Sequence, residues 1–260
     1  MDSPHGTPAP LAIVSAMQEE LGALLALMPD GRRVRAAGRD FWCGHLHGQP
    51  VVAVLSRIGK VAAATTATVL AERFGVRAIV FTGVAGGLAP GVAVGDVVVA
   101  AGLLQHDLDA SPIFPKYEVP LLGRARFDAD GAIADALAGA AHALLREPAA
   151  LLGAQAVAAF GLHAPRVHRG LVVSGDRFVS TAAESAALRH ALPDALAVEM
   201  EGAAVAQVCH DYGLPFAAVR TISDRADDAA HADFTRFVAA VASRYSAGIA
   251  AAWLRSLSKK

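Results

Sequence analysis

Apolar residues come in two rhythms along this chain. Short, mostly apolar runs over 11–16, 78–82 and 216–222 have the length and β-branched content of buried strands. Between such runs, apolar positions recur at helical spacing. Leu21, Leu24, Leu25 and Met28 form one set, stopped by Pro29 and Gly31, and the Ala-rich segment 60–74 forms another, closed by Gly75. Segments 41–47 and 51–56 predict a strand pair around Gly48, Gln49 and Pro50. Further strands are predicted over 96–104, 167–174 and 195–200, and helices over 130–146, 182–191, 202–212 and 231–254; 151–160 fits helix or strand and is read as strand. Residues 105–128, with three prolines, read as a long loop of the kind that usually carries function.

Strands alternating with helices predict an α/β fold. It is one domain over 11–260 behind a loose tail, 1–10, with a twisted, mixed but mostly parallel β-sheet flanked by helices on both faces. Ligands of such sheets sit beyond the carboxyl ends of the strands, which turns the element map into a search list.

Composition narrows the partners. Of the 260 residues 54% are hydrophobic and 18% charged, an excess made largely of Ala and Val that fits a dense core. The longest apolar stretch, 238–253, is broken by Ser243, Arg244 and Ser246, so no membrane partner is expected. The first ten residues lack a basic segment followed by an apolar one, so a secretory signal is not expected and a cytoplasmic location is. A net charge of −1 without a basic block argues against nucleic acid. Cys43 and Cys209 fit reduced thiols.

Three acids meet the strand-end rule: Glu20 in the first turn after the first strand, Glu201 where a strand becomes a helix, and Asp224 after the 216–222 strand. Strands this apolar end deep in the protein, and a buried carboxylate resists ionisation and becomes a usable acid or base near neutrality. The competing reading is that acids in a first turn, Glu19 included, only complement the helix dipole. Arg220 and the glycine-rich turn 83–87 flank the three acids and favour a site. That turn has neither dinucleotide-binding nor P-loop spacing. His106, Asp107 and Asp109 lack the further ligands a metal needs, so no metal and no cofactor are expected. His45 and His47 read as surface residues, and the absence of a Gly-x-Ser-x-Gly elbow argues against a serine hydrolase.

Taken in order, seven segments resemble the 5′-methylthioadenosine/S-adenosylhomocysteine nucleosidase family of the purine nucleoside phosphorylase superfamily. They are AMQEE (16–20), SRIGKVAAA (56–64), TGVAGGLAP (82–90), GD (95–96), SGDRF (174–178), VEME (198–201) and RTISD (220–224). The resemblance implies hydrolysis of the N-glycosidic bond of an adenine nucleoside with a 5′ thioether. In that scheme Glu20 activates water, and Asp224, steadied by Ser223, protonates purine N7. Glu201 holds the ribose hydroxyls over Met200, and Arg220 helps fix the water and the hydroxyl side of the sugar. Phe178 stacks on adenine, and the Val179 backbone reads its edge. Met17, Ile58, Ala85, Gly86, Glu199 and Phe234 complete the binding set. The resemblance also implies a homodimer, with 105–123 near the 5′ group and Ile113, Phe114 and Tyr117 as candidate liners.

Two departures stand out. Val84 occupies the place where the family carries a serine, and 106–123 differs from the best-known bacterial pattern. Three rivals remain open: a phosphorylase of the same fold, a nucleosidase for another adenosyl compound such as futalosine, and a binding protein that senses an adenine nucleoside without cleaving it.

Overall fold

The computed structural model describes residues 8–227 and 234–258. Residues 1–7 of the expected tail, and the expected helix start at His231, lie outside them.

Among the described residues ten strands form one continuous sheet. They are β1 (Leu11–Ser15), β2 (Arg32–Ala36), β3 (Arg39–Leu46), β4 (Gln49–Leu55), β5 (Ala78–Gly87), β6 (Val97–Gln105), β7 (Arg126–Asp128), β8 (Val167–Ser174), β9 (Ala195–Glu199) and β10 (Phe216–Asp224). The path runs β10-β6-β8-β9-β5-β1-β4-β3-β2, and β5 also pairs with β10, so β5, β10, β6, β8 and β9 close a ring. Among the described residues five pairings are parallel and five antiparallel.

Alternation along each strand splits the core into two layers. Leu11, Ile13, Val80, Val97, Val99 and Val219 face one way, onto a layer with α1 (Gln18–Leu25), α3 (Gly131–Leu145) and α9 (Ser243–Leu257). Ala12, Val14, Phe81, Val98 and Ala218 face the other way, onto α2 (Lys60–Phe74) and α7 (Gly202–Asp211). α6 (Ala182–Ala191) begins at Thr181, whose hydroxyl accepts from the Glu184 N–H. Gly75 ends α2 in the left-handed region, at φ +54.

The strand expected over 151–160 is not there. The segment forms two short helices, α4 (Pro148–Leu152) and α5 (Ala154–Phe160), hinged at Gly153 with φ +83. Alanine dominates it, and alanine favours helix over strand. β2 went unpredicted because its sequence, RRVRA, is mostly exposed and carries little apolar signal. α8 (Phe234–Phe237), a π-helical turn (Val238–Ala242) and α9 run on as one 24-residue helix. It is long and apolar enough to cross a membrane by length and composition, yet most of its apolar span is buried inside the protein. Both cysteines are free, and burial pushes the Cys209 thiol up to about 12.

Candidate active site

β5 bends as it runs. Its first part pairs with β1 and β10, while Gly86 and Gly87 pair with β9. The carboxyl ends of β1, β4, β8, β9 and β10 meet beside that bend, around a cavity of about 170 Å³. Its wall is formed by Ala16, Met17, Ile58, Val84, Ala85, Gly86, Arg177, Phe178, Val179, Val198, Glu199, Met200, Glu201, Ser223, Asp224 and Phe234. Of the fourteen residues singled out from the sequence, only Glu20 and Arg220 are absent from that wall.

Two phenyl rings, Phe178 and Phe234, meet edge to face at 6.1 Å. Gly86 allows the closest approach: a Cβ there would stand 2.9 Å from that of Ala226 and 3.0 Å from Asp224 Oδ1. Asp224 is buried. Its Oδ1 accepts from the Ala226 N–H at 2.8 Å, and its Oδ2 lies 2.8 Å from the Ser223 hydroxyl.

Glu199 and Glu201 are two residues apart and differ in what they touch. Glu199 accepts from the N–H groups of Glu201 and Gly202, from the Ser174 hydroxyl, and from Arg220 Nη2 at 2.8 Å. It therefore serves the start of α7, together with Ser174, whose oxygen accepts from the Ala203 N–H. Glu201 is released from that duty. Its Oε1 accepts the Gly59 N–H at 2.8 Å, and burial and then the nearby Glu199 charge raise its pKa.

Glu20 is fully buried. One oxygen accepts from the Met17 N–H at 3.3 Å, so the helix-start reading holds for it as well. The other accepts from the Ser246 hydroxyl at 3.0 Å. Burial drives its pKa up to about 7 against the opposing pull of Ser246 and Arg220. Arg220 is equally buried. Its Nη1 donates to the Phe81 carbonyl at 2.9 Å, its guanidinium lies 4.2 Å from the Phe81 ring centre, and its other edge holds Glu199. It is ion-paired with Glu199, and its charge also acts on Glu20 and Glu201.

A second cluster braces the wall. Lys60 Nζ pairs with Asp107 Oδ1 at 2.6 Å, Asp107 Oδ2 accepts from the Asp176 N–H, and Asp176 Oδ1 accepts from the Lys60 N–H. Asp107 is thus held in an ion pair, and Asp109 bonds Ser111. Among the described residues no group of three or more His, Cys, Asp or Glu could hold a metal. His45 is exposed but not alone: it pairs with Asp30 at 2.8 Å, fifteen residues back in the chain. Ile113, Phe114 and Tyr117 do not reach the cavity wall.

With this geometry in view, the chain was compared with known proteins. The phosphorylase superfamily model matches residues 10–255. A 5′-methylthioadenosine/S-adenosylhomocysteine nucleosidase from Neisseria meningitidis, solved with methylthio-immucillin-A, is 34% identical. The match covers 96% of this chain and 100% of that one, with a TM-score of 0.84.

This chain belongs to that nucleosidase family of the phosphorylase superfamily.

Further likenesses agree. The Streptococcus pneumoniae nucleosidase, solved with the inhibitor MT-ImmA, is 33% identical over 95% of this chain and 99% of its own, at a TM-score of 0.81. A Helicobacter pylori futalosine hydrolase is 31% identical over 95% of this chain and 97% of its own, at 0.78. The family placement makes the chain an N-glycosyl hydrolase and leaves its substrate open. Sequence reasoning missed Ser246, Gly59, Ser174 and Arg177. The first three act through hydrogen bonds to elements remote in sequence, which no local pattern reveals. Arg177 could have been suspected as the basic neighbour of Phe178; it lines the cavity and pairs with Glu184.

Proposed function

We infer that this nucleosidase cleaves 5′-methylthioadenosine, S-adenosylhomocysteine or both, giving adenine and the 5-thioribose product. The observation that carries the reading is the grouping of four acids at one small aromatic-walled cavity, with Glu199, Glu201 and Asp224 on its wall and Glu20 beside it. An adenine anion leaves poorly, so the ring must gain a proton as the bond to C1′ breaks. Asp224, with Ser223 and Ala226 fixing its oxygens, is the proposed donor to N7. The sugar then develops oxocarbenium character, which Glu201 stabilises from beside its hydroxyls.

Glu20 is the proposed base for water. Its support is a pKa near neutrality, full burial, and its position three residues along the helix from Met17 of the wall. Arg220 is assigned to holding the acids in place rather than to touching substrate. Phe178 stacks on the base, the Val179 backbone reads its edge, and Met17, Ile58, Met200 and Phe234 enclose the sugar and the thioether.

A homodimer in the cytoplasm is part of the proposal. Ile113 and Leu121 of the 106–125 segment are 81% and 92% exposed, and Ile58 at the cavity is 60% exposed, as apolar groups covered by a partner copy would be. The likeness to a futalosine hydrolase supports a second reading, a larger 5′ substituent in the same site. Incubation with methylthioadenosine, S-adenosylhomocysteine or futalosine, each with and without phosphate, tests both. Base release without phosphate is expected, fastest from a thioether, and a strict phosphate requirement would overturn hydrolysis.

A further inference from the structure

The last helix reaches into the acid cluster at one point, Ser246. It lies 226 residues from Glu20 in sequence, and its hydroxyl donates to Glu20 Oε1 at 3.0 Å with both side chains buried. A serine inside a helix commonly turns its hydroxyl onto the carbonyl four residues back. Ser243 does so, onto Ala239 at 2.9 Å, and Thr65, Thr66 and Thr68 do so in α2. Ser246 crosses to α1 instead.

The π turn accounts for its aim. Phe234 lines the cavity and Ser246 meets Glu20, twelve positions later. In an unbroken α-helix those positions point roughly 120° apart, whereas the extra residue of one π turn brings them to within about 20°. The turn lies between them, over Val238–Ala242. One helix thereby presents an aromatic wall and a hydroxyl to the same site.

We propose that Ser246 is a positioning residue that holds the Glu20 carboxylate for water activation, and that the π turn sets the phase which lets it do so. This rests on Glu20 being the base. With Ser246 on Oε1 and the Met17 N–H on Oε2, the carboxyl group cannot rotate freely, and a hydrogen bond to the ionised form favours that form. The charged groups acting on Glu20 are Arg220 from β10 and Glu19 from its own helix. β1, β4 and the π turn carry no ionisable side chain. On α9, Arg244 donates to the Leu152 carbonyl, Tyr245 feels Asp96, and Arg255 lies near His47.

The test follows adenine release from methylthioadenosine across pH. Ser246→Ala removes the donor, and Ser246→Cys removes most of it while keeping the volume filled. Both variants should lower kcat about tenfold or more with KM nearly unchanged. Both should also move the acidic limb of the kcat profile to higher pH, because Glu20 loses a partner of its ionised form. Ser246→Thr, which keeps a hydroxyl, should restore most of the rate. Glu20→Gln runs beside them. If it is inactive while Ser246→Cys leaves the acidic limb unmoved, the role of Ser246 is overturned and the base assignment stands. If Glu20→Gln hydrolyses at the native rate, the base assignment falls and this inference with it.

Discussion

Two groups of buried acids make an instructive pair. Asp96, 3% exposed, accepts from the N–H groups of Ala93 and Arg166 and pairs with His168 at 2.7 Å. Glu199 is equally well supplied. Glu20 and Glu201 are as deeply buried, yet each has fewer partners: the Met17 N–H and the Ser246 hydroxyl for Glu20, the Gly59 and Met200 N–H groups for Glu201. Burial alone disfavours charge, and donors repay the penalty. On the proposed reading the first group mainly holds the fold, while Glu20 and Glu201 keep carboxyl oxygens for water and sugar. Depth in the protein does not separate them; the supply of hydrogen bonds does.

The largest expected effect comes from removing the two proposed proton-transfer acids, Glu20 of the second group and Asp224 across the cavity. Glu20→Gln and Asp224→Asn should each cut kcat by about 10²–10⁴-fold while nucleoside binding persists. Asp96→Asn should do the reverse, costing stability of about 1–3 kcal/mol with turnover per folded molecule unchanged. Steady-state kinetics with a binding titration read the first pair, and thermal melting reads the last. Native turnover in Asp224→Asn would remove Asp224 as proton donor.

Next comes the cation between the groups. Arg220 is buried against Glu199 and the Phe81 carbonyl, so Arg220→Met leaves an uncompensated buried carboxylate. A loss of about 3–5 kcal/mol is expected in denaturant unfolding. A loss under about 1 kcal/mol would show that Arg220 does not balance the acids.

A smaller effect has an unusual sign. Glu20 titrates at 4.5 ordinarily and at about 7 in place. The unfolded chain gives up that proton first as pH rises, so the folded state is favoured by this group below about 4.5 and loses that advantage up to about 7. Glu20→Gln escapes the loss. It should melt close to the native protein at pH 5 and above it at pH 8, by on the order of 1–3 kcal/mol, or about 2–4 °C per kcal/mol. Equal melting at both values would mean that Glu20 is not held protonated by burial.

Much of this was legible in the sequence, and the limits are physical. Strands such as β1 and β5 announce themselves because a short, mostly apolar run has one use, and the acids at strand ends followed from them. The helices over 148–160 were missed because a short alanine-rich run has no period to read. The division between Glu199 and Glu201 was invisible, since both sit in one VEME motif and differ only in tertiary partners. The pairing of Arg220 with Glu199 was invisible for the same reason.

The smallest effect sharpens the site itself. Val84 stands on the cavity wall, opposite Thr221 of β10 in register, at the place where the resemblance implies a serine. Val84→Ser removes apolar surface worth about 1 kcal/mol and adds one hydroxyl, worth about 0.5–1.5 kcal/mol if it finds a partner on the sugar or water. The fold should survive and KM for methylthioadenosine should fall two- to tenfold, with kcat little changed, because a hydroxyl that binds ground state and transition state alike alters only affinity. A rise in KM beyond tenfold would carry the opposite lesson. The valine would then touch an apolar part of the substrate, and the preferred ligand would present something other than a sugar hydroxyl at that point of the wall.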